Sequence, residues 1–246
     1  MKAIEEIIGR AEILLCLLDR RGLEYNIEKK TLQQREQQRL LINDWINRNH
    51  FGQYMTDHER KRLERKTGSP MAKLETYRAK YEEDAIEPLL WALGLTKRLS
   101  SYNCHDVKDW SISDEYHMKL KTNTLNPAEE IIEKIKLKSE EEILLRKQVA
   151  ELWLWRVREG KKRNNNCQPI NEAVLDRFGD TYSKAVVKIL QGQKGKKQDF
   201  ILYNKCIFEI EREKLSDLSI YAFWRYHAFE WLLSSDEWTS VRNQKA

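Results

Sequence analysis

One arginine in the sequence lies where it could bind an anion. The segment Ser219 to Leu233 reads SIYAFWRYHAFEWLL and is almost entirely aromatic and aliphatic, with Arg225 near its centre. A guanidinium on an apolar helix face either binds an anionic ligand, such as a carboxylate or a phosphate, or pairs with a carboxylate of the protein itself. At about 100° per residue, Arg225 shares its side of the predicted helix with Leu218, Tyr221, Ala222, Phe229 and Leu232.

A second arginine repeats this arrangement in the predicted helix from Ser139 to Glu159. An arginine does not lose its proton, and the desolvation of an unpaired charge costs several kcal/mol, so each of these guanidinium groups needs an acceptor. Glu142 lies one turn before Arg146 and can pair with it within the helix. The apolar residues that share the face of Arg146 are Ile143, Val149, Ala150, Trp153 and Val157.

Two roles for these arginines follow. In the structural role, which the sequence favours, at least one buried ion pair joins two helices. In the ligand-binding role, an interhelical pocket exposes an unpaired arginine to an anion, and Arg225, Arg146 and Trp91 would contact that anion. The residues predicted to form the structural ion pair are Arg225, Arg146, Asp84, Glu87 and Glu142.

Several tryptophans are candidates for a binding surface as well as for the core. Large aromatic side chains fill cores without any further role, and this interpretation suffices for most of them. Trp155 is the exception, because it lies on the polar side of its predicted helix, where a partner could contact it. The irregular region from Leu99 to Lys121 is a second candidate contact. The helical tryptophans considered are Trp91, Trp153, Trp155, Trp224 and Trp231.

The residue types that support catalysis do not form a pattern specific to a reaction. The five histidines lack metal-site spacing, and the segment GQKGKK at 192–197 lacks the other residues of a phosphate-binding loop. His227 and Glu230 are three residues apart and could transfer a proton, but polar pairs at this spacing are common on surfaces. The sequence therefore predicts no metal and no cofactor, identifies no catalytic residue, and favours a role other than that of an enzyme.

The composition predicts the elements that position these residues. Among 246 residues only 9 are glycine and 4 are proline, whereas 34% are charged. Such a composition favours a mainly α fold, a multi-helix globular bundle. One small β-hairpin is predicted near residues 199–208, where Asn204 and Lys205 separate two short β-prone runs. We expect a single domain over residues 1–246, with a sub-boundary near 100–126 as the alternative.

The charge pattern and the cysteines indicate where the protein acts. The net charge is +5, and the basic clusters at 58–66, 161–163 and 194–197 are interpreted as solvated surface in preference to nucleic-acid contacts. The apolar run Ile13 to Leu18 is too short to span a membrane and lacks the features of a signal peptide. Four scattered cysteines are typical of reduced thiols. We therefore expect a cytoplasmic protein without a membrane span.

Three blocks of the sequence carry a resemblance to a known family. They are YEEDAIEPLLWALGL at 81–95, EILLRKQVAELWLWRVR at 142–158 and WRYHAFEWLLSSDEWTSV at 224–241. Together they resemble a bacterial family catalogued as domain of unknown function 4272, over about residues 3–241, and the LLWALG core is the most specific part. The residues that fit the family pattern are Asp84, Trp91, Arg146, Arg225 and Trp231.

The resemblance implies a helical domain without an assigned activity. At four positions, Glu82, Val149, Trp224 and Tyr226, the chain departs from the family pattern, where a basic residue, a Trp, a Glu and a His are usual. If those polar positions form an active site in relatives, this chain has lost it.

The sequence leaves three alternative functions. The first is a protein-binding or interaction module whose partner is another protein. The second is an enzyme or small-molecule binder that uses an interhelical Arg/Trp pocket for an anion. The third, least favoured, is weak nucleic-acid binding through the basic loops.

Overall fold

In the computed structural model the described residues fold mainly into α-helices. Among the residues that the structure describes there are six α-helices: α1 (Ile4–Tyr25), α2 (Leu32–Arg48), α3 (Asp57–Glu64), α4 (Ile86–Ala92), α5 (Glu140–Lys162) and α6 (Arg212–Leu233). Two short strands, β1 (Ile201–Leu202) and β2 (Lys205–Cys206), lie between α5 and α6. The structure describes residues 1–25, 30–69, 82–100, 102, 135–162, 182, 185, 200–202 and 205–238.

The predicted mainly α fold is confirmed, and the two strands pair at the predicted hairpin. β1 is antiparallel to β2, with Ile201 opposite Cys206 and Leu202 opposite Lys205. Of the predicted sub-boundary near 100–126, only Ser100 and Tyr102 are among the described residues.

Hydroxyl side chains fix the starts of three helices. Thr31 precedes α2 and Thr56 precedes α3. In each case the threonine hydroxyl accepts a hydrogen bond from the backbone N–H three residues later, and the side chain of that later residue accepts one from the threonine backbone N–H. Ser139 and Glu142 form the same reciprocal pair at the start of α5. These bonds satisfy backbone N–H groups that a helix start leaves unpaired.

Helix α1 lies in the centre of the first apolar cluster, which we call the N-terminal core. From Ile7 to Leu18 every residue of α1 is buried, including the charged ones. The Tyr54 ring packs directly against Gly9, where an added Cβ would lie 2.1 Å from the Tyr54 Cδ2 atom. Glycine is therefore required there for the ring to approach the helix. The N-terminal core also includes Ile86, Leu89, Trp91, Phe229 and Leu232.

Helices α5 and α6 pack antiparallel along their lengths. At one end, the Lys147 ammonium lies 3.6 Å from the Glu230 carboxylate, and at the other a Cβ on Gly160 would lie 3.4 Å from Leu215. Between these ends is a second apolar cluster, the C-terminal core. Its members include Leu152, Trp153, Val157, Phe200, Leu218 and Tyr221.

An ion pair between Arg39 and Glu36 of α2 makes stability depend on pH. The Arg39 guanidinium donates to the Glu36 carboxylate over 2.7 Å, and the Thr67 amide donates to it over 3.0 Å. The Arg39 hydrogen bond is the main reason that the pKa of Glu36 falls from 4.5 to about 2. Since the folded pKa is the lower one, the stabilisation is present above the unfolded pKa and disappears as pH falls through the folded value.

We therefore expect the wild-type free energy of unfolding to fall between about pH 5 and about pH 2. Glu36→Gln should reduce this fall by about 1 kcal/mol, because Glu36 is partly exposed and solvent screens part of its interaction. Urea unfolding measured at several pH values tests this. An identical pH dependence in both proteins would show that Glu36 is not ionised in a stabilising contact.

Candidate functional site

Arg225 forms a closed ion pair inside the protein. Its side chain is 2% exposed, and its Nη2 donates to Glu87 Oε2 while its Nη1 donates to the Ser100 carbonyl over 2.8 Å. The guanidinium carbon also lies 4.3 Å from the centre of the Tyr221 ring and 5.0 Å from that of Tyr102. Aromatic faces attract a cation, so both rings stabilise the charged group.

The Glu87 carboxylate is held from its other side as well. Both the backbone N–H and the hydroxyl of Ser100 donate to Glu87 Oε1, over 2.5 Å and 2.6 Å. The pair thus connects α4, α6 and the chain at Ser100. Because the charge of Arg225 is balanced by a buried carboxylate, this geometry argues against Arg225 as an anion-binding residue.

Asp84, the other carboxylate considered as a partner of Arg225, does not accept a hydrogen bond from it among the described residues. It is 3% exposed and belongs to a short 3₁₀ helix, Glu82–Ala85, which leads directly into α4. The hydrogen bonds of Arg225 among the described residues go to Glu87 and Ser100. The structure therefore places Glu87, and not Asp84, on Arg225.

Arg146 differs from Arg225 in its surroundings. It is half-buried, and its guanidinium carbon lies 5.4 Å from the centre of the Trp91 ring. Glu142 does not pair with it, because Glu142 bonds to Ser139 at the start of α5 and lies 3.7 Å from the Lys138 ammonium. Burial and the nearby charge of Arg225 lower the pKa of Arg146. Within the described part of the chain, Arg146 has no hydrogen-bonded carboxylate.

A groove lies beside Trp155, between the C-terminal half of α5 and α6. Its volume is about 630 Å³. The apolar part of its lining is formed by the half-buried rings of Trp155 and Tyr226 together with Leu154. We call this feature the Trp155 groove. Trp155 was predicted to face a partner, and the structure places it in the lining of this cavity.

The charged lining of the Trp155 groove is predominantly basic. Of its two carboxylates, Glu159 pairs with Lys162 over 2.9 Å, and Glu151 accepts a hydrogen bond from the Tyr182 hydroxyl over 2.6 Å. The remaining cations of the lining have no anionic partner among the described residues. These three side chains are Arg158, Lys161 and Arg212.

Tyr226 is fixed in the groove wall by contacts outside the groove. Its hydroxyl donates to Glu230 Oε1, and the Lys147 ammonium lies 5.5 Å from the centre of its ring. Burial and the bond to Glu230 raise the pKa of the Tyr226 hydroxyl, which therefore stays protonated and continues to donate. The ring is thus presented to the groove in one orientation.

Sequence reasoning missed the buried ion pair between Arg10 and Glu59. Arg10 is 1% exposed and forms a two-point contact with Glu59, in which Nη1 donates to Oε2 over 2.8 Å and Nη2 donates to Oε1. The Trp238 ring centre lies 4.3 Å from its guanidinium carbon. Arg10 shares its helix face with Ile7 and Leu14, so the pattern used for Arg225 would have identified it.

Within the described parts of the chain, no group of three or more His, Cys, Asp and Glu side chains is arranged to hold a metal ion. None of the described helices combines the length and the apolar character that crossing a bilayer requires.

The fold and the groove together define a helical protein with a basic, aromatic-lined groove. A family model described as domain of unknown function (DUF4272) matches residues 1–177, so the chain belongs to this family. No curated protein and no solved structure matches the chain. The match contains the first two blocks that carried the resemblance, whereas the third block, 224–241, lies beyond it. The groove therefore combines Trp155, inside the matched range, with Arg212 and Tyr226, outside it.

Proposed function

We propose that this chain is a protein-binding module and that a partner protein binds in the Trp155 groove. The observation that carries this proposal is one cavity of about 630 Å³ in which two half-buried aromatic rings adjoin three cations without anionic partners among the described residues. Tryptophan, tyrosine and arginine are the residues that most often dominate binding energy at protein interfaces. The groove offers all three types.

A second function would use Arg146 and a small anionic ligand. It is favoured by one observation, which is the half-buried guanidinium over Trp91 without a hydrogen-bonded carboxylate among the described residues. Arg225 contributes little to such a site because Glu87 already balances its charge. This function is the second candidate, because the Trp155 groove combines a cavity of about 630 Å³ with three cations that have no anionic partner among the described residues.

The proposed place of action is the bacterial cytoplasm. The family resemblance is to bacterial proteins, and Cys16 is a free thiol in a buried position. Free thiols are typical of a reducing compartment.

Photo-cross-linking from position 155 tests the proposed function. We expect a benzoylphenylalanine in place of Trp155 to form one discrete adduct in cells, and the protein in that adduct to bind the purified wild-type chain. Trp155→Ala should weaken this binding at least about tenfold, as expected when a central interface tryptophan is lost.

The matched control places the same photoreactive residue at Leu41. Leu41 is 57% exposed on α2 and does not line the groove. The same adduct from both positions, or none from position 155, would contradict the proposal.

A further inference from the structure

We infer that the partner contributes an acidic segment with one apolar side chain that enters the Trp155 groove. This inference rests on the proposed function and adds the chemistry of the partner. Its basis is the charge balance of the groove and the position of the aromatic rings relative to the cations.

The charges that line the groove determine which charge the bound segment of the partner carries. Arg158, Lys161 and Arg212 all line the groove, and none of the three has an anionic partner among the described residues. Arg158 and Arg212 are exposed, so their charged groups can reach a bound segment. Carboxylates complement guanidinium groups in geometry as well as in charge. A segment rich in Asp or Glu is therefore the complementary occupant.

The aromatic lining defines the second feature of the segment. Trp155, Tyr226 and Leu154 form an apolar area beside these cations. An aliphatic or aromatic side chain that covers this area would be removed from water, which supplies binding energy that charge alone does not. The segment therefore needs an apolar anchor as well as carboxylates.

The carboxylates in the lining favour a peptide over a nucleic acid. Glu151 and Glu159 lie in the same groove as the cations. A nucleic-acid strand carries a phosphate at every nucleotide and would bring negative charge close to both of them. A peptide can place its acids only opposite the cations. Single-stranded nucleic acid also binds along continuous basic grooves with successive stacking rings, whereas two carboxylates interrupt the basic lining of this groove.

A short fluorescein-labelled peptide, in which glutamates flank one Phe-Leu pair, is the probe for a binding measurement by fluorescence anisotropy. We expect the wild-type chain to bind this peptide more weakly as NaCl is raised. The triple variant R158E/K161E/R212E should bind at least about tenfold more weakly, because three favourable contacts become repulsive.

The matched control is K61E/K66E/K97E, which changes the net charge by the same amount. These three lysines are exposed and do not line the groove. The control variant should bind the acidic peptide within about twofold of the wild type after allowance for the general charge effect. Circular dichroism on both triple variants establishes that each is folded.

Three further ligands complete the test. A peptide with lysines in place of the glutamates, and one with Gly-Gly in place of Phe-Leu, should both bind more weakly than the probe. Oligothymidylate should not compete with the probe. Equal losses in both triple variants, absence of salt dependence in the wild type, or competition by oligothymidylate through the same three cations would overturn the inference.

The outcomes separate this inference from the proposed function. If cross-linking at position 155 identifies a partner that binds R158E/K161E/R212E normally, the acidic-segment inference fails and the proposed function stands. If cross-linking from position 155 identifies no partner, the proposed function fails regardless of the result of the peptide-binding measurement.

Discussion

Arg225→Met is expected to lower the free energy of unfolding by about 3–5 kcal/mol, the usual cost of removing one partner of a buried ion pair. The loss leaves the Glu87 carboxylate in a buried site without its cation. It also removes the hydrogen bond to the Ser100 carbonyl and the charge beside the Tyr221 ring. Urea unfolding followed by tryptophan fluorescence measures the change.

Arg146→Met is the matched control for this prediction. Arg146 lies on the facing helix, but it is only half-buried and has no ion pair among the described residues, so we expect a change below about 1 kcal/mol. Replacing both Arg225 and Glu87 with apolar residues should recover part of the loss, since no charge then remains buried. Equal effects of Arg225→Met and Arg146→Met would contradict the structural role of the Arg225–Glu87 pair.

Glu59→Gln is expected to give the second largest effect, about 3 kcal/mol. Burial opposes ionisation of Glu59, but the Arg10 guanidinium and the bonds from Thr56 outweigh it, so the pKa of Glu59 lies below its ordinary value. Glutamine removes the charge and leaves Arg10 buried without a carboxylate. Since this pair joins α1 to α3, thermal unfolding should also show a lower Tm.

Glu64→Gln provides the comparison on the same helix. Glu64 is exposed near the end of α3, so its replacement should change stability by less than about 0.5 kcal/mol. If Glu59→Gln changed stability as little as Glu64→Gln, the Arg10–Glu59 pair would not be a determinant of the fold.

The pattern of apolar residues along a single helix was enough to identify Arg225 and Arg146 as arginines on core-facing surfaces, but it did not establish their acceptors. Arg225 was recognised because it shares a face with apolar residues, and the requirement for an acceptor led to Asp84 and Glu87, of which Glu87 accepts its hydrogen bond. The same requirement led to Glu142 for Arg146, and here the structure differs. Glu142 bonds to Ser139 at the helix start, which satisfies backbone groups that have no other partner.

The Arg10–Glu59 pair and the Trp155 groove required the three-dimensional arrangement. Glu59 belongs to a highly charged segment that resembles solvated surface, and it becomes buried only because α3 packs against α1. The groove needs α5 and α6 side by side. Trp155 alone was visible in the sequence, but Arg212 and Tyr226 come from residues more than fifty positions away and were not associated with it.

The indole N–H signals of the eight tryptophans provide the most direct test of the groove as the binding site. The acidic Phe-Leu peptide is titrated into protein labelled with ¹⁵N at the indoles, with Trp155→Phe used to assign the Trp155 signal. We expect the Trp155 signal to shift with saturation while the Trp91 signal, from the ring beside Arg146, stays in place. A shift of the Trp91 signal without a shift of the Trp155 signal would show that the peptide binds near Arg146 and not in the Trp155 groove.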